Sequence, residues 1–168
     1  HPPQWWKDQH LQEWFITEDG LNRYDGYSFT VYRNEAGNPA TLSHNELKAI
    51  FEDRDGVLWV GAFAGGLNRF DPATERVTRF AHDPDDPESL ALDTVRCILE
   101  DAAGRLWVGT QGGGLDLLDR ATGTFTHHRH DPSDTWSLPG DDVRALLEDS
   151  KGRLWVGTLD GLARREAD

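Results

Sequence analysis

The chain has 168 residues, with 17 Lys and Arg against 30 Asp and Glu and a formal net charge of −13. This balance argues against nucleic acid or an anionic membrane as a partner, since phosphate binding needs a basic face, and the acids read as solvated loops and turns. The single Cys97 excludes an internal disulfide, the lack of Met reads as a processed or excised piece, and no apolar run approaches a membrane span.

Taken in chain order, the sequence is a repeat. The segments "EDRDGVLWVG" at 52, "EDAAGRLWVG" at 100 and "EDSKGRLWVG" at 148 place Trp59, Trp107 and Trp155 at a constant step of 48. Asp53, Asp101 and Asp149 keep that step, as do Gly56, Gly104 and Gly152, then Gly61, Gly109 and Gly157. A weaker copy precedes them: Asp8 lies six residues before Trp14, and "DGLNRYD" at 19 to 25 matches "GGLNRFD", but Leu11 and Ile16 stand where Gly56 and Gly61 would be. The expected division is a degenerate first unit over 1–46, full units over 47–94 and 95–142, and an incomplete fourth over 143–168.

Within the third unit four stretches have strand character: "VRCILE", "RLWVGT", "GLDLLD" and "TFTHHR". The turn "DAAG" puts Gly where positive φ is cheap, the glycines after Gln111 let the chain reverse, and "DRATG" turns the third strand into the fourth. The longest link, "HDPSDTWSLPGDD", follows. Four antiparallel strands per unit of about 45 residues predict an all-β fold of propeller blades, here a partial ring of three to four. Each repeated Trp is expected to pack between neighbouring sheets. Cys97 shares its place with Ala49 and Ala145 and reads as buried filler rather than a reactive thiol.

These spaced motifs, with "GLNRYDGYSFTVYR" at 20 to 33 and the loops "HDPDDPESL" and "HDPSDTWSL", resemble the two-component regulator propeller repeat family. The resemblance implies an extracytoplasmic, periplasmic sensor region of hybrid histidine kinases and related diguanylate cyclases, anchored by a membrane helix outside this chain. It also implies rings of about seven blades, so that a longer chain or a second copy would supply the missing ones. The expected function is therefore sensing of a small ligand, such as a glycan fragment, without catalysis and without direct membrane contact. The alternatives are a propeller enzyme acting on polysaccharide, such as a lyase, and a scaffold for protein assembly.

Candidate sites are sought where the copies disagree. Trp136 replaces Glu88 in the long link and could stack on a sugar, or pack against a neighbouring blade. Phe63, Gln111 and Leu159 vary at the Gly-rich connection, which propeller topology puts on the same face as the long links. His82 and His130 open those links and complete the ligand-binding candidates. The cluster "HHRHD" at 127 to 131 suggests a metal, but on a strand only His128 and His130 would share a face, too few for zinc or copper. No catalytic residue, cofactor or metal is assigned; the acids before Gly are one position off an Asp-box, and no G-x-S-x-G elbow is present.

Overall fold

The computed structural model describes residues 12–166, and the regular structure over that span is entirely strand. Asp8 and Leu11 of the weak first copy lie outside the described residues. The Gly turns cut the chain into short strands that pair antiparallel with their sequence neighbours, and the long links separate one sheet from the next. The first sheet contains β1 (Glu13–Thr17), β2 (Gly20–Tyr24) and β3 (Phe29–Tyr32). The second contains β4 (Leu47–Glu52), β5 (Leu58–Ala62), β6 (Leu67–Asp71) and β7 (Arg76–Phe80), and the third β8 (Val95–Glu100), β9 (Leu106–Thr110), β10 (Gly114–Leu118) and β11 (Phe125–His128). The last is β12 (Val143–Glu148), β13 (Leu154–Thr158) and β14 (Gly161–Arg165). In the first sheet Trp14 pairs with Arg23 as Trp59 pairs with Arg69, so β1 takes the place of a second strand.

The leading strands β4, β8 and β12 pack on one another in succession, which makes them the inner strands of blades arranged as an open propeller. Trp59 and Trp107 hold successive blades together. Trp59 shares a buried cluster with Leu106, Leu118 and Phe125 of the third sheet, and Trp107 with Leu154 and Val156 of the last. Trp155 is only half-buried, and on the same last sheet Leu147, Leu159 and Leu162 are each more than 60% exposed.

The repeated Gly of the second strand is explained by this packing. A Cβ on Gly61 would stand 2.5 Å from Val95 Cγ1, and one on Gly109 would stand 2.7 Å from Val143 Cγ1, so only Gly lets the next inner strand approach. At Gly157 the nearest atom is the Ala145 Cβ of its own sheet, 3.6 Å away.

Candidate functional site

The motif beginning "ED" is the joint between blades, and each of its residues has a separate task. The Asp is internal to its blade. Asp53 Oδ1 accepts the N–H groups of Asp55 and Val57 at 3.0 Å, closing the turn around Gly56 at φ +77°, while Oδ2 accepts the Trp59 indole N–H at 2.8 Å. Asp101 with Trp107 and Asp149 with Trp155 repeat the indole bond at 2.9 Å. In those copies Arg105 and Arg153 add a guanidinium to the same carboxylate at 2.6 to 2.7 Å. Burial alone would raise the Asp101 carboxyl, but the Trp107, Arg105 backbone and Arg105 side-chain bonds together hold it below its ordinary range. Asp149 is held lower still, first by Arg153 and then by the Trp155 indole.

The second blade has Val57 where the others have Arg. Its cation comes from the next blade: Arg120 donates to Asp53 Oδ2 at 3.1 Å and lies 5.6 Å from the Trp59 ring. The Glu of the motif crosses in the same direction. Glu100 accepts the Arg54 backbone N–H at 2.9 Å and contacts the guanidinium groups of Arg54 and Arg120 at 3.0 and 3.1 Å, and Glu148 accepts the Ala102 N–H at 2.8 Å. The Glu recurs in the sequence at the same step as the Trp, but its partner on another sheet does not show along the chain.

At the opposite end of the sheets the long links meet the Gly-rich connections. The Gln111 N–H bonds to the Thr94 carbonyl and the Gly112 N–H to the Asp141 carbonyl, so the turn of one blade rests on the link leading to the next. Buried polar side chains pin the links from below. Asn68 Oδ1 accepts the Ser43 N–H at 2.9 Å, and Asp116 Oδ2 accepts the Ala91 N–H at 2.7 Å. Burial pushes the Asp116 carboxyl upward against the opposing 2.6 Å contact from His127. In the last sheet Ala163 takes that register position, opposite Val156, and a hollow of about 450 Å³ opens beneath the link.

The five candidate binding residues separate into three places. His82 and His130 close their own links, donating from Nδ1 to the carbonyls of Leu90 at 2.8 Å and Leu138 at 2.7 Å. Phe63 and Gln111 stand at the ends of the second strands beside the inner strands, Phe63 40% exposed with Lys48 Nζ 5.7 Å from its ring. Trp136, 95% exposed, borders the hollow above Ala163, with Leu138 and Arg164 as neighbours. In the preceding link the Glu88 carbonyl accepts the Phe125 N–H of an outer strand at 2.8 Å, so Trp136 occupies the position that elsewhere receives such a strand.

The expected pairing of His128 with His130 on one strand face is not found, because β11 ends at His128. His127 turns to Asp116, His128 packs 5.6 Å from the Trp107 ring, and His130 enters the link. Among the described residues no group of three His, Cys, Asp or Glu could hold a metal ion, and no helix is long and apolar enough to cross a membrane. The Cys97 thiol, pushed up to about 12 by burial, is no nucleophile at neutral pH.

Comparison with known proteins follows the same blades. The family model for the two-component regulator propeller matches residues 41–64, 89–112 and 137–160. Among solved structures, the extracellular domain of a hybrid two-component system from B. thetaiotaomicron is 29% identical with a TM-score of 0.79, over 94% of this chain and 23% of that one. A second such domain from the same organism is 25% identical with a TM-score of 0.71, over 92% of this chain and 21% of that one. The chain thus spans less than a quarter of either domain. Virginiamycin B lyase from Staphylococcus aureus, 14% identical with a TM-score of 0.63 over 92% of this chain and 52% of its own, shares the fold alone. No curated protein matches the chain. Three of the blades thus carry matches to the two-component regulator propeller repeat, and the chain is similar in sequence and fold to extracellular domains of hybrid two-component systems.

Proposed function

We propose that this chain is part of an extracytoplasmic sensor propeller, which binds a small ligand without turning it over and passes a change in blade packing to a kinase or cyclase output carried elsewhere. The observation that carries this reading is the similarity over 94% of the chain to the extracellular domain of a hybrid two-component system. The site chemistry supports it. The repeated Asp residues are bound to Trp and Arg and, in two copies, held in the ionised form below the usual carboxylate range, so they are poor proton donors at neutral pH. His82, His127 and His130 are engaged in pinning links.

The ligand face in this reading is the end of the sheets where the long links meet the Gly-rich connections, with Phe63 and Gln111 at its centre and Trp136 toward the rim. A glycan fragment suits exposed aromatic side chains, which stack on sugar rings. The open face of the last sheet, where only its own Ala145 lies against Gly157, takes a further repeat, from the rest of the protein or from a second copy. Calorimetric titration with a panel of oligosaccharides, with product analysis by mass spectrometry, tests the reading. Saturable binding with intact ligand is expected; cleavage of the bound saccharide would instead point to a lyase or hydrolase.

A further inference from the structure

Each inner strand begins with the same irregularity. Leu47 pairs with Ala62 and Ala49 with Gly61, which leaves Lys48 as an extra residue; the same shift leaves Arg96 between Val95 and Cys97, and Arg144 between Val143 and Ala145. Such a bulge re-aims one side chain out of the alternation of its strand. In all three sheets that residue is basic, in a chain whose net charge is −13. The surrounding positions do not repeat: Glu46, Thr94 and Asp142 precede the bulges, and Phe63, Gln111 and Leu159 face them from the second strands. Since β4, β8 and β12 are successive neighbours, the three bases form a row across the inner strands at the ligand face.

The row is unevenly neutralised. Lys48 has Glu46 at 2.5 Å and the Phe63 ring beside it, and Arg144 has Asp142, with Nε 2.6 Å from Oδ1 and a hydrogen bond of 3.0 Å to Oδ2. Arg96, in the middle, instead directs Nε and a terminal nitrogen to the amide oxygen of Gln111. A guanidinium fork matches two carboxylate oxygens, whereas one amide oxygen serves it with a single neutral acceptor. The central cation of the row is therefore half-buried and bound to a neutral, replaceable partner, between two cations that already hold carboxylates.

We propose that the row binds a ligand bearing a carboxylate, which Arg96 takes in place of the Gln111 amide, with Phe63 and the exposed Leu159 flanking the body of the ligand. This rests on reading the same face as the ligand face, and it narrows the glycan of that reading to an acidic saccharide containing uronic acid. Lys48 and Arg144 add a positive field that favours the anion while their own carboxylates keep them in place.

The test is calorimetric titration of the whole chain with trigalacturonate, its methyl ester, neutral galactotriose and succinate. Trigalacturonate is expected to bind at least tenfold more tightly than its ester, to weaken as salt rises, and to lose at least tenfold in affinity in Arg96→Gln. Circular dichroism of that variant should be unchanged, and Glu52→Gln, at the opposite end of the sheet, should bind as the parent does. Equal binding of acid and ester, undiminished binding by Arg96→Gln, or no binding of either acid would overturn the inference. Binding of galactotriose that Arg96→Gln leaves intact would overturn it while the saccharide reading stands. Succinate binding lost in Arg96→Gln, with no saccharide bound, would support the carboxylate site and remove the glycan.

Discussion

Replacing Glu100 by Ala should weaken the joint between the second and third blades more than the same change in either sister copy. The Glu100 side chain is 5% exposed, and its carboxylate meets the Arg54 N–H at 2.9 Å and the guanidinium groups of Arg54 and Arg120 at 3.0 and 3.1 Å. Hydrogen bonds to a charged group contribute roughly 1.5 to 3 kcal/mol each, and stripping one partner from a buried pair costs about 3 to 5 kcal/mol. Here the Arg54 side chain is 52% exposed and that of Arg120 is 29% exposed, so water replaces much of what the guanidinium groups lose, and the backbone N–H bears the uncompensated part. The expected loss is about 2 to 3 kcal/mol. Glu148→Ala, which strips the Ala102 N–H, should cost about 1 kcal/mol, and Glu52→Ala, at an exposed position, under about 0.5 kcal/mol. Urea titration separates these values, since a slope of about 1 to 3 kcal/mol/M turns the first loss into a midpoint shift of roughly 1 M or more. Amide exchange adds a local reading: the Arg54 N–H should exchange faster in Glu100→Ala and unchanged in Glu52→Ala. Equal midpoints for all three variants would refute the assignment of the motif Glu to the joint.

Trp107→Ala removes a ring that is 1% exposed and should cost about 3 to 5 kcal/mol, whereas Trp136→Ala removes one that is 95% exposed and should leave the unfolding free energy from urea titration within about 0.5 kcal/mol of the parent. Arg120→Ala should destabilise, and Val57→Arg in the same chain should restore much of the loss, because Arg105 and Arg153 serve the homologous Asp from that position; a double-mutant cycle with no coupling would count against this substitution of one arginine for another. The carboxyls of Asp101 and Asp149 are lowered on folding, so their stabilisation is present above the unfolded value near 3.8 and is lost as pH falls through the folded values. The stability difference between the parent and Asp149→Asn, followed by thermal melts from pH 7 to pH 2, should therefore shrink below about pH 4; a constant difference would show that the carboxylate charge is irrelevant.

Much of the architecture was legible because it is locally encoded. The step between Trp59, Trp107 and Trp155, the Gly that closes each turn at positive φ, and the four short strand-like stretches per copy all act within a few residues of one another, and together they imply blades. The variable positions Phe63 and Gln111 could be assigned to one face from connectivity alone. What the motif Glu does could not be read in the same way, because Glu100 finds the Arg54 N–H 46 residues away on another sheet. The replacement of an arginine at Val57 by Arg120 is likewise invisible along the chain, since the two lie on neighbouring blades and share only the carboxylate of Asp53.

The amino-acid sequence by itself determined the repeat, the turn chemistry and the all-β blades, because stretches of strand character and positive-φ glycines are properties of short segments. The tertiary structure alone decided which copies are equivalent in energy and which are not. Stacking the blades buries Trp107 but half-exposes Trp155, places Val95 against Gly61 while leaving Gly157 open, and sets Arg96 against an amide where its sisters have carboxylates. Identical motifs thus acquire different tasks from the neighbours that packing brings to them.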